Sequence, residues 1–444
     1  MEYDKSKHMF DARKEGMKMA KRVIFHIDVN SAFLSWEAVY RLRHLGGKLD
    51  LRTIPSAVGG DISKRHGIIL AKSIPAKKYN LQTGEPVTDA LKKCPNLYLV
   101  PPNYSMYEKN SRAMMKTLRE YSPAVEIYSI DEAFADMSGM EALYGPPMQE
   151  AHTIKDRIRD ELGFTVNVGV SSNKLLAKMA SDFKKPDRVH TLFPEEVEKK
   201  MWRLPVRDLF FVGAATENKL KKLGIRTIGE LAESDPAMLR YHLKKQGEVI
   251  WQFANGIDTG SVIPTPPPNK GYGNSTTISF DVQDTETAKK VLLSLSETIG
   301  RRIREDRVQI QVVSVGIRYY DFSYASHQRK LDEPTDVTNE IYAAACQIFA
   351  EMWNGWSIRH IGIHTSGITE QGGYRQMSLF GDEAEQINHE KLSRMDKAVD
   401  DIRKRFGADA VKRAVFLDDD RIDHLSGGIS REKRTVDYSK LDVK

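Results

Sequence analysis

Three carboxylates are the residues of this chain best suited to chemistry, and they fall in two short apolar segments. Asp28 ends residues 23–28 (VIFHID), and the adjacent pair Asp131 and Glu132 lies within residues 127–134 (IYSIDEAF). Both segments are rich in β-branched and aromatic residues, which predicts β-strands. A carboxylate on a buried strand needs a cation to compensate its lost hydration. Mg²⁺ binds one or two carboxylates together with substrate phosphates, so this pattern favours phosphoryl or nucleotidyl transfer.

Each acidic group also has a simpler interpretation. Asp28 alone is as consistent with a strand-end cap or a salt bridge as with a metal ligand, and an isolated Asp-Glu pair is more typical of a solvated turn. Neighbouring residues of a strand point to opposite faces of the sheet. Asp131 and Glu132 can therefore serve one site only if the chain bends there.

Lysine-rich segments strengthen the phosphate interpretation. Residues 71–80 (AKSIPAKKYN) place Lys72 and Lys77 after an apolar run, and residues 171–187 (SSNKLLAKMASDFKKPD) place Lys185 beside a predicted helix. Ammonium groups near a metal site can bind triphosphate oxygens as point charges. The alternative for each is a helical lysine that faces water.

A predicted helical hairpin spans residues 209–231 (LFFVGAATENKLKKLGIRTIGEL). Its two helices flank a tight Gly-containing turn, and Val212, Gly213 and Ala215 are the candidate DNA contacts. Backbone N–H groups at such a turn can hold a DNA phosphate. Helical hairpins without nucleic-acid contacts are also common, so the hairpin supports DNA binding only together with the other motifs.

Length and composition define the class of protein. The 444 residues predict about two to four domains, and 40% hydrophobic residues are ample for packed cores. The net charge of +6 is only mildly basic. Cys94 and Cys346 form neither a disulfide framework nor a zinc-binding spacing, which favours a reducing compartment. We expect no signal peptide in residues 1–22 and no membrane span, and therefore a cytoplasmic protein.

The predicted elements divide the chain into two α+β regions separated by a helical one. Strands and helices alternate from residue 22 to about residue 188, and wholly helical signals follow at 191–257. The Pro-rich stretch 263–268 (IPTPPP) predicts a stiff linker. Beyond it, the order β-α-β-β-α-β predicts a compact α+β domain, followed by a polar tail.

Residues 22–367 resemble the bacterial Y-family (DinB/UmuC-type) translesion DNA polymerases. Four segments carry the resemblance in order: residues 26–37 (HIDVNSAFLSWE), 128–134 (YSIDEAF), 169–187 (GVSSNKLLAKMASDFKKPD), and the helical hairpin with 255–258 (NGID). The resemblance implies an α+β multidomain protein with a right-hand polymerase fold. It assigns the palm to 22–32 and 98–190, the fingers to 33–97, the helical thumb to 191–258, a linker to 259–270, a βαββαβ little-finger domain to 271–370, and a tail with a clamp-binding motif to 371–444.

The resemblance also assigns roles to the carboxylates. Asp28, Asp131 and Glu132 correspond to the catalytic residues, and with the Val29 carbonyl they would bind two Mg²⁺ ions, for which Mn²⁺ can substitute. One ion acidifies the primer 3′-hydroxyl, and the other binds the triphosphate and the leaving pyrophosphate. The implied activity is that of a DNA-directed DNA polymerase of low fidelity, active in DNA damage tolerance and the SOS response.

Nucleotide-binding residues follow from the same resemblance. Phe33 corresponds to the steric gate that excludes a ribose 2′-hydroxyl, and Ala32 beside it leaves room near the new base pair. Lys185 matches the family's triphosphate-contacting lysine, and Lys72 and Lys77 are the candidates in the fingers. Periodicity alone would instead place Phe33 in the core, at the start of an amphipathic helix.

Two segments depart from the family pattern. Where the fingers motif usually reads Tyr-x-x-Arg, this chain has Ile74 and Lys77. A lysine keeps the charge but not the bidentate guanidinium, and isoleucine donates no hydrogen bond. We expect weaker nucleotide binding, with Lys72 in partial compensation. Phe211 stands where the hairpin commonly has glycine, while Gly213 is retained. How the turn contacts a DNA phosphate is therefore an open question.

A short motif in the tail resembles the pentapeptide by which bacterial polymerases bind the sliding clamp. It consists of Gln376, Met377, Ser378, Leu379 and Phe380 (QMSLF). The last two side chains would fill an apolar pocket of the clamp, and the glutamine would form a hydrogen bond at its rim.

The tail also predicts one more helix. Apolar residues recur there at three- and four-residue spacing, which indicates a single apolar face: Leu392, Met395, Val399, Ile402 and Phe406. Packing on the protein itself is the simpler interpretation of this face, and a partner site is the alternative.

We therefore expect a monomeric, nucleoid-associated enzyme whose partners are primer–template DNA, dNTPs and the bacterial sliding clamp. Two other classes stay open. A catalytically weak DNA-binding scaffold is favoured by Ile74. A metal-dependent nuclease would use the same carboxylates, but it would need neither the Phe33 gate nor the triphosphate lysines.

Overall fold

The computed structural model of the chain describes residues 22–60, 67–370, 383–417 and 422. The strands of these residues are β1 Ile24–Val29, β2 Ser56–Gly59, β3 Ile69–Lys72, β4 Tyr98–Val100, β5 Val125–Ile127, β6 Glu132–Asp136, β7 Val166–Ser171, β8 Val189–Thr191, β9 Tyr272–Val282, β10 Val308–Tyr319, β11 Tyr324–Thr335 and β12 Ile358–Glu370. The α-helices are α1 Ala32–His44, α2 Ile74–Lys77, α3 Val87–Lys93, α4 Tyr104–Tyr121, α5 Glu141–Tyr144, α6 Pro147–Arg157, α7 Lys174–Asp182, α8 Val197–Lys200, α9 Ala214–Lys222, α10 Ile228–Ala232, α11 Pro236–Leu243, α12 Lys245–Ala254, α13 Thr285–Glu305, α14 Thr338–Met352 and α15 Glu383–Phe406. None of the helices described here is long and apolar enough to cross a bilayer. The predicted clamp-binding residues lie outside the described residues: Gln376, Met377, Ser378, Leu379 and Phe380.

These elements belong to two compact units. Within the described residues, the first unit comprises 22–51 and 106–266, and the second comprises 52–105 and the residues from 267 onward. The first contains a five-stranded sheet of order β5-β6-β1-β7-β8. The second contains a three-stranded sheet, β3-β2-β4, and a four-stranded sheet, β11-β10-β12-β9. The domain boundaries given by the resemblance stay a prediction.

The central strands of the five-stranded sheet are buried along their whole length. β1 is accordingly a mostly apolar run, whereas β7 alternates valine with Asn167, Gly169 and Ser171 although every position is buried. Helix α7 packs directly on β7 at Gly169. A Cβ atom at this position would lie only 1.9 Å from the Ala177 carbonyl oxygen. Only glycine permits this approach. It holds the lysine-bearing helix against the strand that neighbours β1.

The predicted strand at residues 127–134 is wrong at its centre, where the chain turns. β5 and β6 form a hairpin, and the N–H groups of Tyr128 and Ser129 both donate to the Glu132 carbonyl, at 3.0 and 3.1 Å. Ser129 Oγ also donates to Asp131 Oδ1 at 2.6 Å, a contact typical of turns. The turn supplies the bend that the two adjacent carboxylates need in order to serve one site.

The helical region predicted at 191–257 is confirmed by α8 to α12. Helix α9 ends before Gly224, whose φ of 85° lies in the left-handed region. A capping box then begins α10: Thr227 Oγ1 accepts the Glu230 N–H at 3.2 Å, and the Glu230 carboxylate accepts the Thr227 N–H at 3.0 Å. Residues 255–271, all of them described, contain no helix or strand, and the linker predicted within them stays a prediction.

The predicted β-α-β-β-α-β order is confirmed by β9, α13, β10, β11, α14 and β12. The two helices pack on one face of the four-stranded sheet, where Ile310, Val315 and Ile317 are fully buried. Residues that alternate with them along β10 are more exposed. This period-two pattern is what a sheet with one covered face requires.

The predicted last helix is confirmed as α15, but its predicted mode of packing is wrong in part. Its buried contacts are polar: Asp396 Oδ2 accepts Arg304 Nη1 at 3.0 Å and the Thr338 N–H at 2.8 Å. Met395 and Phe406, from the predicted apolar face, are exposed. The physical reason is that the first N–H groups of α14 have no partner within their own helix, and the Asp396 carboxylate supplies one.

The three-stranded sheet carries the positions at which the chain departs from the fingers motif. β2 pairs antiparallel with β3 and parallel with β4. Ser73 begins α2, because its Oγ atom accepts the Ala76 N–H at 3.1 Å and Pro75 fits the first turn. Ile74 and Lys77 are the two ends of this single helical turn.

Candidate active site

The predicted catalytic carboxylates meet at one end of two neighbouring strands. Asp28 of β1 and Glu132 of β6 are register partners, and directly opposite residues of an antiparallel pair point to the same face. Asp131 lies in the turn just before β6, and its carbonyl accepts the Val29 N–H at 3.0 Å. The backbones of all four residues predicted to bind metal thus lie at one end of this strand pair, and metal binding by their side chains stays a prediction.

Asp28 is a carboxylate whose ionisation is opposed by burial. Desolvation, with a smaller contribution from the charge of Glu132, raises its pKa to about 6 despite the opposing effect of Lys185. Lys185 Nζ lies 2.9 Å from Asp28 Oδ2 and 2.8 Å from Asp182 Oδ1. Burial lowers the pKa of the Lys185 ammonium, but the two carboxylates outweigh it and the net shift is upward. The predicted triphosphate lysine therefore contacts the first predicted metal ligand.

Glu132 shows the opposite balance. Its Oε2 atom lies 2.8 Å from Lys178 Nζ and 3.6 Å from His26 Nε2. Burial opposes the ionisation of Glu132, yet its contacts with His26 and Lys178 lower its pKa to about 2. Burial lowers the pKa of His26, whose Nδ1 atom lies 2.8 Å from Ser181 Oγ. Glu132 is therefore ionised across the ordinary pH range, whereas Asp28 titrates near pH 6.

The donor set fits a hard divalent cation. Mg²⁺ prefers oxygen ligands, and one or two carboxylates suffice when substrate phosphates complete its coordination. In the part of the chain that the structure describes, no three His, Cys, Asp or Glu side chains form a group that could hold a metal ion. Asp28 and Glu132 each have a lysine ammonium on one oxygen. The arrangement therefore suits a cation that is bound together with a phosphate-bearing substrate, and not a closed protein cage.

Comparisons with known proteins identify the family of this chain. Residues 27–182 match the impB/mucB/samB family, residues 269–379 match the C-terminal domain of that family, and residues 207–258 match the thumb domain of DNA polymerase iota. DNA polymerase IV of Clostridium acetobutylicum is 45% identical over 401 residues, which cover 89% of this chain and 98% of that protein. The chain belongs to the Y family of DNA polymerases.

Further matches support the same family. DNA polymerase IV 1 of Bacillus subtilis is 35% identical over 399 residues, which cover 89% of this chain and 93% of that protein. A solved Y-family DNA polymerase chimera matches with a TM-score of 0.67 at 20% identity, covering 79% of this chain and all of that chain. The predicted α+β multidomain fold with palm, fingers, thumb and little finger is therefore confirmed.

Phe33, the predicted steric gate, is half-buried near the start of α1. The Phe33 ring stacks on Tyr107 of α4, with centroids 4.6 Å apart and planes 11° from parallel, and its centroid lies 6.0 Å from the Trp36 ring. Ala32 is buried beside it. A ring packed in this way is compatible with both the core and the gate interpretations, so the gate role of Phe33 stays a prediction.

The predicted fingers lysines form a local basic pair. Lys72 lies in β3, where burial and then the charge of Lys77 lower the pKa of its ammonium group. Lys77 ends α2 and is exposed. Ile74, at the other end of this turn, is also exposed and has no hydrogen-bond donor in its side chain. Nucleotide binding by Lys72 and Lys77 stays a prediction.

The predicted hairpin turn at residues 211–213 leads into α9, whereas the turn between α9 and α10 lies at 223–227. The segment before α9 has a glycine-like backbone at a position that is not glycine. Phe211 has a φ of 72°, in the left-handed region that glycine occupies at no steric cost. Gln246 Nε2 donates to the Phe211 carbonyl at 3.1 Å and helps to hold this conformation. Gly213 is the N-cap of α9 and Ala215 lies in its first turn, where backbone N–H groups lack partners within the helix. Val212 is buried beneath them, and DNA contact by all three stays a prediction.

Sequence reasoning missed two residues that contact the site, His26 and Lys178. His26 resembled an ordinary member of an apolar strand, and Lys178 was one of several lysines around a predicted helix. The structure buries both against Glu132. A signal existed for Lys178, because it lies three residues after Leu175 and one before Met179, on the buried side of α7.

Proposed function

We propose that this chain is a template-directed DNA polymerase of the translesion type, which adds dNTPs to a primer 3′ end with low fidelity in DNA damage tolerance. The observation that supports the proposal best is the register of Asp28 and Glu132, two carboxylates on adjacent strands that each contact a lysine, in a Y-family chain. Phosphoryl transfer needs mainly positioning and charge stabilisation, which carboxylates, divalent cations and lysines supply. Primer–template DNA and dNTPs are its substrates.

The four oxygen-bearing residues of the site would hold two Mg²⁺ ions, with Mn²⁺ as a substitute: Asp28, Val29, Asp131 and Glu132. When bound, these ions acidify the primer 3′-hydroxyl and neutralise the charge of the triphosphate and of the leaving pyrophosphate. Glu132 is ionised across the ordinary pH range, whereas Asp28 is fully ionised only well above pH 6, because burial raises its pKa to about 6. Lys185, whose Nζ atom lies 2.9 Å from Asp28 Oδ2, would bind triphosphate oxygens.

The remaining predicted residues would select the nucleotide and hold the DNA. Phe33 would exclude ribonucleotides, and Ala32 would leave space for a distorted template base. Lys72 and Lys77 would contact the triphosphate with less directional precision than an arginine. The thumb would bind the DNA backbone through N–H groups of the hairpin turn: Val212, Gly213 and Ala215.

Recruitment is proposed to depend on the tail. A monomer would bind the bacterial sliding clamp through residues 376–380 (QMSLF), which follow β12 and precede α15 along the chain. Leu379 and Phe380 would fill an apolar pocket of the clamp, and Gln376 would form a hydrogen bond at its rim.

Primer extension by the purified protein tests the proposal. Reactions contain a primed template, four dNTPs and Mg²⁺ or Mn²⁺, with Glu132→Gln as the matched variant. Wild-type protein should elongate the primer, and Glu132→Gln should not, because an amide carries no negative charge to bind the cation. Elongation by the variant at the wild-type rate would remove Glu132 from the mechanism.

The same assay separates the two alternative functions. A shortened primer would indicate the metal-dependent nuclease. DNA binding without any elongation would indicate the scaffold, which is favoured by Ile74, 48% exposed at the start of α2 where the family usually has tyrosine.

A further inference from the structure

Lys178 is a buried cation enclosed by one carboxylate and two aromatic rings. Its Nζ atom lies 2.8 Å from Glu132 Oε2 and 5.3 Å from the ring centroids of both Tyr128 and Phe210. Only 10% of its side chain is exposed. A buried ammonium is stable where an anion pairs with it and aromatic faces attract it. Lys178 is therefore held in one position by three different groups.

Both contacts of the Glu132 carboxylate involve the same oxygen. Lys178 Nζ and His26 Nε2 approach Oε2, at 2.8 and 3.6 Å. Within the described part of the chain, no hydrogen bond or ion pair reaches Oε1. A carboxylate anchored through one oxygen has a fixed direction and presents its other oxygen to a ligand. Partners of this kind orient metal ligands in proteins.

We propose that Lys178 is a positioning residue for the polymerase reaction, which orients Glu132 so that its Oε1 atom is available to the catalytic cation. The inference rests on the proposed function and adds a residue that itself contacts neither nucleotide nor cation. The lysine has two effects of opposite sign on cation binding. Its charge repels a cation, whereas its hydrogen bond prevents the carboxylate from turning away. We expect the orienting effect to be the larger one, because the 2.8 Å contact holds the carboxylate in one direction.

Phe210 connects this positioning to the helical hairpin. Its ring lies 6.1 Å from Tyr128 and 4.6 Å from the ring of its neighbour Phe211, centroid to centroid. One wall of the lysine cage is thus part of the segment proposed to hold a DNA phosphate. Loss of the Phe210 ring should loosen Lys178 without removing any charge.

Lys174, one helical turn before Lys178, provides a matched control. Its Nζ atom lies 2.7 Å from Glu126 Oε1 and 5.0 Å from the Phe134 ring centroid, so it has the same kind of carboxylate and ring contacts. Glu126 belongs to β5 and is not among the proposed metal ligands. A variant at Lys174 therefore loses an equivalent contact and leaves Glu132 unchanged.

Mn²⁺ binding to the DNA-free protein, measured by calorimetry or by the EPR signal of the free ion, tests positioning separately from catalysis. Lys178→Met should weaken Mn²⁺ binding, and raise the Mg²⁺ concentration for half-maximal primer extension, by about 10- to 100-fold. Phe210→Leu should weaken Mn²⁺ binding by about 2- to 5-fold, because the lysine keeps its charge but loses a ring contact. Lys174→Met should leave both quantities at their wild-type values.

Unchanged or tighter Mn²⁺ binding by Lys178→Met would overturn the inference. Removal of a nearby positive charge strengthens cation binding, so this result would mean that the charge of Lys178 matters more than its orienting effect. Equal weakening by Lys178→Met and Lys174→Met would overturn it as well, because the effect would then be general destabilisation. If Lys178→Met does not fold, Phe210→Leu decides, and wild-type Mn²⁺ binding by that variant rejects the role of Lys178. Failure of the proposed function looks different: wild-type protein would then bind Mn²⁺ without extending a primer.

Discussion

Replacement of Asp28 by asparagine should stabilise the metal-free protein while it removes a cation ligand. Burial raises the Asp28 pKa from its ordinary value of 3.8 to about 6, although Lys185 lies only 2.9 Å away. At about 1.4 kcal/mol for each tenfold change in proton affinity, ionised Asp28 destabilises the folded state by about 3 kcal/mol. Asparagine has the same shape without the charge, so it removes this destabilisation. Such gains are common where a site keeps a residue for function.

The gain should depend on pH with a definite sign. Below pH 3.8 both the folded and the unfolded chain hold the proton, so Asp28 and asparagine are equivalent. Between pH 3.8 and about 6, the unfolded chain releases the proton and the folded chain retains it, so wild-type stability falls as pH rises. The free energy of unfolding should therefore increase in Asp28→Asn by about 1 kcal/mol at pH 4.5 and by about 3 kcal/mol at pH 7.5.

Thermal unfolding in EDTA, followed by circular dichroism at both pH values, measures the gain. For a compact unit of this size, 3 kcal/mol corresponds to a rise in Tm of roughly 6–12 °C. Asp182→Asn is the matched control, because Asp182 contacts the same Lys185 at 2.8 Å but is half exposed, and it should bring no rise. A gain in Asp28→Asn that is absent at pH 7.5, or equal at the two pH values, would refute this reasoning.

Three further changes test other parts of the molecule. Phe33→Ala should raise the kcat/KM for rNTPs relative to dNTPs in single-nucleotide insertion, because no ring then meets the 2′-hydroxyl; an unchanged ratio would exclude the gate role. Arg304→Met should destabilise the packing of α15 by about 3–5 kcal/mol, because two carboxylates of that helix lose a buried partner. Limited proteolysis should then cleave within 387–406, whereas Arg301→Met, whose ion pair is more exposed, should resist cleavage as the wild type does. Replacing Leu379 and Phe380 by alanine should abolish stimulation by a bacterial sliding clamp and preserve clamp-free synthesis; stimulation that persists would contradict clamp binding through this motif.

Elements whose ends are set by local chemistry could be predicted from the sequence. Gly224 ends α9 with a positive φ, and Thr227 begins α10 with its own hydroxyl, because both features need only residues within one turn. β1 could be predicted equally well, since a buried central strand is a mostly apolar run. In these places the residue types and their spacing contain all the information that the local structure needs.

Prediction failed where two local structures fit the same residues. Residues 127–134 are rich in strand-forming side chains, yet they contain a turn that is fixed by hydrogen bonds to the Glu132 carbonyl. The apolar spacing of α15 predicted packing through that face, but the helix is held by the Asp396 carboxylate on Arg304 and on the first turn of α14. Both outcomes depend on partners distant in sequence or on backbone bonds, which side-chain periodicity does not contain.

The sequence by itself determined the chemistry of this protein: the three carboxylates, the Y-family motifs and the helical hairpin. Only the tertiary structure decided which lysine pairs with which carboxylate: Lys185 contacts Asp28, and Lys178 contacts Glu132. That choice depends on how closely α7 packs on β7, which Gly169 permits by having no side chain. The raised pKa of Asp28 is likewise a property of the atoms that exclude water around it. Residue types specify which ionisable groups are present, whereas burial and packing decide their pKa values and their partners.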